Sequence, residues 1–282
     1  MKRVVDILLY SNLIIAWCGV AIFETGLLLL GAELQWDITA WFVFFSTLFT
    51  YLFIRIVARN RISSYQPERR WDFFLQHFSV LKWATIFTGL CSLGLFIFLP
   101  RPVQLAMLVP GAVSVLYGLP LGAFRLRDMG IMKIFLIGFV WAFNGSALPA
   151  IASGADPWHT DVLLLFAAQF LFIFAITLPF DVKDIEIDAL NQVKSIPAYL
   201  GKENTFTLSF ICLFASAAIH SWMQRTYAEA DLSVAMGVSI LITGMVIYAT
   251  RSSTRNADYF GWIDGMIILQ FLICYGTYVF VY

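Results

Sequence analysis

Phe180-Asp181-Val182-Lys183-Asp184-Ile185-Glu186-Ile187-Asp188 closes an apolar segment that runs from Asp161 to Pro179. Its four carboxylates stand close to a hydrocarbon phase, where they are costly unless they neutralise a positive charge or face water. On a helix, Asp181, Asp184 and Asp188 recur at i, i+3 and i+7 and project from one face, while Glu186 points elsewhere. Hard oxygen ligands on a common face beside a membrane suit Mg²⁺, which keeps several waters and takes one or two carboxylates plus phosphate oxygens. The competing reading is an acidic, solvated helix end.

The rest of the chain decides the setting. With 282 residues, 60% of them hydrophobic and 13% charged, and a mean hydropathy of +0.81, a soluble globular class is excluded. Stretches of about 20 apolar residues recur at roughly 5–31, 38–58, 78–99, 102–119, 131–152, 161–180, 205–223, 232–250 and 259–281. The sequence therefore predicts an all-α membrane protein with nine transmembrane helices in a single domain, residues 1–282. The first stretch opens with Lys2 and Arg3 but is too long for a signal-peptide core, so it is expected to stay as a helix. Cys18, Cys91, Cys212 and Cys274 all lie in apolar segments without paired spacing and read as packed thiols. His77, His159 and His220 are scattered and carry no assigned chemistry.

Lys and Arg near helix ends stay preferentially on the cytoplasmic side. With the N-terminus inside, all of the 18 Lys and Arg except Arg101 and Arg225 collect on the inner face. This predicts an integral, multi-pass protein of the cell inner membrane, with a cytoplasmic N-terminus and a C-terminus on the opposite side. Longer inner loops with clustered charge place the chemistry on that side. Arg55 and Arg59 sit at i, i+4 in the last turns of the second helix, where an arginine faces the bundle interior or snorkels out. Arg125 and Arg127 return to the same mouth after Tyr117-Gly118-Leu119-Pro120, whose Gly and Pro end the fourth helix. Lys194, just past the carboxylates, is a candidate phosphate-binding cation. The basic end of helix two and the acidic end of helix six are four helices apart, which suggests two four-helix halves plus one.

The run Leu178-Pro179-Phe180-Asp181-Val182-Lys183-Asp184-Ile185-Glu186-Ile187-Asp188, continuing through Lys194-Ser195-Ile196-Pro197 to Leu200-Gly201, resembles the second aspartate-rich motif of the UbiA-type intramembrane prenyltransferases. Tyr117-Gly118-Leu119-Pro120 with Arg125 and Arg127 is similar to that family's tyrosine and basic pair after helix four. Asp264-Gly265, opening the last helix, also fits.

The resemblance implies a UbiA-like fold and the transfer of a prenyl group from an isoprenoid diphosphate to an acceptor within the membrane. Mg²⁺ on Asp181, Asp184 and Asp188 would grip the diphosphate, and Arg55, Arg59, Arg125, Arg127, Lys194 and Tyr117 would bind its oxygens. Trp141 and Asn144 would be substrate-pocket residues, with packing as their equal alternative. The physical requirements are positive charge on a leaving diphosphate, an apolar tunnel for the chain and aromatic faces for an allylic cation. The expected partners are an isoprenoid diphosphate and the lipid bilayer, with no nucleic acid.

One departure from the family is sharp. At the end of helix two, where the resemblance implies N-D-x-x-D-x-x-x-D, the chain reads Tyr51-Leu52-Phe53-Ile54-Arg55-Ile56-Val57-Ala58-Arg59. Two metal-binding positions hold guanidiniums, which bind no metal and repel one. Two expectations compete. In one, Arg55 and Arg59 grip the diphosphate in place of a metal. In the other, they pair with Asp181 or Asp184 as an ionic lock in a protein that binds isoprenoid or lipid without catalysis. Intramolecular terpene cyclisation is a third outcome of the same chemistry.

Overall fold

A computed structural model describes residues 7–59, 69–119, 129–190, 193–227, 232–252 and 258–281. All regular structure among these residues is helical: α1 (Leu13–Leu29), α2 (Ile38–Ala58), α3 (Arg69–Gln76), α4 (Phe78–Phe98), α5 (Arg101–Gly118), α6 (Ile131–Asn144), α7 (Ala147–Ala152), α8 (Thr160–Lys183), α9 (Ile185–Leu190), α10 (Ile196–Tyr227), α11 (Ser233–Thr250) and α12 (Gly265–Val281), with a π-turn at Asp258–Ile263 before α12. Among the described residues, seven helical spans are long and apolar enough to cross a membrane.

Those seven answer seven of the nine expected stretches. The other two lie outside that set. The first stretch breaks at Asn12, which takes the left-handed conformation at φ 66°, a state that Asn tolerates better than most residues. What remains, α1, has 17 residues, or about 25 Å of helix, against the roughly 30 Å of a hydrocarbon core. The other, α5, carries Arg101, Pro102, Gln104, Pro110 and Ser114 in its 18 residues, and is not among the seven.

The interior divides into two apolar clusters, and α1 serves both. Ala16, Val20, Phe23 and Leu27 face one cluster, built with α2, α3, α4 and α5. Cys18, Ala21, Ile22, Leu28 and Leu29 face the other, built with α6, α8, α10, α11 and α12. Thirteen of its 17 residues are buried, Glu24 among them, and α1 is the axis between the halves. It presses on the α6–α7 junction so closely that a Cβ at Gly26 would lie 2.4 Å from the Gly145 carbonyl oxygen.

Helix α8 carries the acidic stretch, and its last turns hold Pro179. Proline has no N–H, so the Ala175 carbonyl one turn earlier loses its helical donor. Ser209 on α10 donates its hydroxyl to that carbonyl at 2.7 Å, and Ser216 does the same for Ala168 at 2.8 Å. These bonds lock α10 antiparallel to α8 and fix the height of the acidic end.

Ser209→Ala leaves the Ala175 carbonyl without its donor. The expected loss is about 0.5–2 kcal/mol, read as a lower midpoint of unfolding in detergent. A midpoint equal to wild type would mean that Ser209 does not fill the gap left by Pro179.

Candidate functional site

At Asp184 the backbone leaves the helix at φ −90°, ψ 6°, and α9 resumes at Ile185. The break is shallow: the Asp184 N–H still donates to the Phe180 carbonyl at 3.0 Å, and the Asp188 N–H to the Asp184 carbonyl at 2.8 Å. Asp181 and Asp188 consequently reach the same point in space. A lysine is there.

Lys133, the third residue of α6, places its Nζ 2.8 Å from Asp181 Oδ1 and 3.2 Å from Asp188 Oδ2. The three side chains are only 13%, 5% and 13% exposed, respectively. A cation in the first turn of a helix stands at the positive end of the dipole. Two carboxylates, one of them in the last turn of α8, reverse that penalty. The other oxygen of Asp181, Oδ2, is buried with no hydrogen-bond partner among the described residues.

Glycine sets the position of α6. Gly130 caps it at φ 57°, and a Cβ there would sit 2.2 Å from the Lys194 carbonyl oxygen. The segment after the acidic stretch therefore packs on the turn that launches Lys133. The Val193 N–H closes the connection by donating to the Asp188 carbonyl at 2.8 Å. Lys194, whose side chain is exposed, thus stands at the rim of the same site.

Of the three expected aspartates, Asp181 and Asp188 meet on Lys133. Asp184, at the helix break, is 43% exposed, with Lys183 Nζ 3.9 Å from its Oδ1. Among the described residues, no group of three or more His, Cys, Asp or Glu is placed to hold a metal ion. Two carboxylates converging on a cation, one with a bare buried oxygen, do fit a divalent ion. Asp181 would hold it through Oδ2, with Asp188 beside it and Asp184 at the rim.

The basic jaw takes another form. Arg55 donates to the Tyr10 carbonyl at 2.6 Å and to Asn12 Oδ1 at 2.5 Å, holding the break that precedes α1. Arg59 is exposed and lies over the Phe78 ring, 3.9 Å from its centroid. The cation found on Asp181 is Lys133. Arg125 and Arg127 lie outside the described residues. Of the pocket candidates, Asn144 donates to the Gly19 carbonyl at 2.9 Å. Buried Trp141 and partly buried Tyr51 belong to the same apolar cluster.

Sequence reasoning missed Lys133 and Tyr51 as site residues. Signals for both existed. Lys133 is a cation at the start of an apolar helix, where only an acidic partner makes it favourable. Tyr51 lies four residues before Arg55 and eight before Arg59, on the same stripe of α2.

A family model described as the UbiA prenyltransferase family matches residues 75–263. Among solved structures, a UbiA homolog from Archaeoglobus fulgidus bound to GPP and Mg²⁺ superposes with a TM-score of 0.66 at 14% identity, covering 96% of this chain and 99% of that one. The same homolog bound to DMAPP and Mg²⁺ gives 0.68 at 15% identity, again over 96% and 99%. An apo UbiA homolog from Aeropyrum pernix K1 gives 0.65 at 16% identity, over 94% and 97%. At such identities the likeness is one of fold. Among curated proteins, no sequence matches.

Gly130→Ala places a methyl group against the Lys194 carbonyl and should lower the thermal midpoint of the purified protein by several degrees. Gly154→Ala is the control: it shares a positive φ, 80°, but meets nothing within 4 Å. It should suffer only the backbone strain of about 1–2 kcal/mol. Equal shifts in the two variants would show that the contact with Lys194 does not hold the site together.

Proposed function

We propose, from the premise that this chain belongs to the UbiA prenyltransferase family, that it transfers a prenyl group from an isoprenoid diphosphate to an acceptor in the membrane. The observation that carries the reading is the pair Asp181 and Asp188 converging on one cation, with Asp181 Oδ2 unpartnered beside it. The chain is an integral, multi-pass membrane protein. In our reading it is a single domain of nine helices, with α1 and α5 completing the set, and its charged end faces the cytoplasm.

The diphosphate would enter at that end. Mg²⁺, held by Asp181 with Asp188 and Asp184, would supply positive charge to the leaving diphosphate. The chain's own cations add to it: Lys133 and Lys194 from the α6 side, and Arg55, Arg59, Arg125 and Arg127, with Tyr117, from the other. The prenyl chain would run away from the charges into the bundle. Trp141 lies eight residues beyond Lys133 on α6, about 12 Å further along, and with Tyr51 and Asn144 would form the wall beside the allylic carbon. Aromatic faces there stabilise positive charge as the C–O bond ionises, and tight apolar packing keeps water from capturing it.

A non-catalytic isoprenoid binder is favoured by one observation, the use of Arg55 on Tyr10 and Asn12. One assay separates the readings. Purified protein is given Mg²⁺ and allylic diphosphates of increasing length, with and without aromatic acceptors, and diphosphate release is followed. We expect release with at least one donor, and a loss of about 100-fold or more in Asp184→Asn. Because Asp184 lies outside the Lys133 pair, that variant should stay folded. No release with any donor would overturn the enzymatic reading, and release with a cyclic product instead of a prenylated acceptor would replace transfer with cyclisation.

A further inference from the structure

Lys133 does what a bound metal does elsewhere: it brings two carboxylates together. Its Nζ is within 3.2 Å of oxygens from both Asp181 and Asp188, in a place where all three groups are largely withdrawn from solvent. An ammonium and a divalent ion cannot share these two oxygens without repulsion at a separation of a few ångströms. Lysine is suited to leaving. It carries a compact charge on a flexible four-carbon stem, with three donors that can be redirected.

Resting on the reading above, we infer that Lys133 is a resident cation that holds the two carboxylates in register and yields them to a divalent ion, its ammonium then turning to the diphosphate oxygens. Three observations support this. Asp181 is buried and keeps one oxygen, Oδ2, without a partner among the described residues, so it retains an unused acceptor while Lys133 is still in place. Lys133 sits in the first turn of α6, whose N–H groups and dipole favour an anion at that end. The exposed side chain of Lys194 stands next to this turn through the Gly130 contact, so an arriving diphosphate meets two lysines and a helix N-terminus together. The chain thereby keeps its acidic pair neutralised when no substrate is bound, and does not rely on metal for that.

The test measures metal binding on the full chain in lipid nanodiscs, apart from any turnover. Mn²⁺ is titrated by electron paramagnetic resonance into wild type, Lys133→Met and Lys133→Arg. Removal of the competing charge should tighten Mn²⁺ binding about tenfold or more in Lys133→Met, and a forked guanidinium should weaken it about threefold or more in Lys133→Arg. Inorganic pyrophosphate, added with saturating Mn²⁺, should bind about tenfold more weakly to Lys133→Met than to wild type. Should Lys133→Met not fold, wild type against Lys133→Arg carries the comparison.

Equal Mn²⁺ affinity in all variants that fold, or weaker binding in Lys133→Met, overturns the inference and leaves Lys133 a purely structural ion-pair partner. The two readings fail separately. If the order of metal affinities holds but wild type releases no diphosphate, Lys133 stands and catalysis falls; if diphosphate is released but the order is flat, the reverse is true.

Discussion

A charge taken out of water must find its opposite, and in this chain that constraint falls on Asp181. It stands in the last turn of the most apolar of the spans, and it is 4% exposed. Left alone it would be several kilocalories per mole too costly. Lys133 answers it from a helix that begins in an unrelated part of the sequence, and Asp188 joins the pair from the far side of the helix break. One buried ion cluster thereby ties α6, α8 and α9 together. Each neighbouring feature serves to keep that meeting point: Gly130 lets the Lys194 segment close in, and Ser209 repairs the α8 ladder below Pro179.

The opposite wall solves a different problem with a different cation. Arginine at position 55 presents a rigid fork, and the fork meets two fixed acceptors, the Tyr10 carbonyl and Asn12 Oδ1. That arrangement converts a helix broken at a left-handed asparagine into a stable start for α1. Since α1 lies between both apolar clusters, the fork anchors the central helix of the bundle. A carboxylate at position 55 could accept no hydrogen bond from these two oxygens and would repel both.

What the sequence made legible was local, and what it hid was long-range. Hydropathy located the crossing helices because apolar length is a property of contiguous residues, and the aspartate run was visible for the same reason. The pairing of Lys133 with Asp188 joins residues 55 apart, which no window along the chain can see. The shared face of Asp181, Asp184 and Asp188 assumed an unbroken helix, whereas the chain breaks at Asp184. Arg59 followed a rule legible in principle: an exposed guanidinium near an aromatic ring settles over its face. Which ring it chose, Phe78, depended on how α2 and α4 pack. The two expected stretches outside the seven, α1 and α5, carry Asn12 at the start of the one and polar residues and prolines within the other, all of them in plain view but outweighed by their apolar neighbours.

The contrast between the two cations explains why one wall is fixed and the other adaptable. Guanidinium is delocalised and planar, and it gains most where two acceptors lie side by side and stay there. Ammonium is a point charge that can change partners by rotating its stem at little geometric cost. Under the proposed function, part of the site's positive charge has to be movable, because the same carboxylates are to be neutralised before and after a ligand arrives. Placing lysine on the carboxylates and arginine on the backbone of the α1 break satisfies both demands. Exchanging them would leave a stiff fork on the Asp181 and Asp188 carboxylates and a loosely held helix at the centre of the fold.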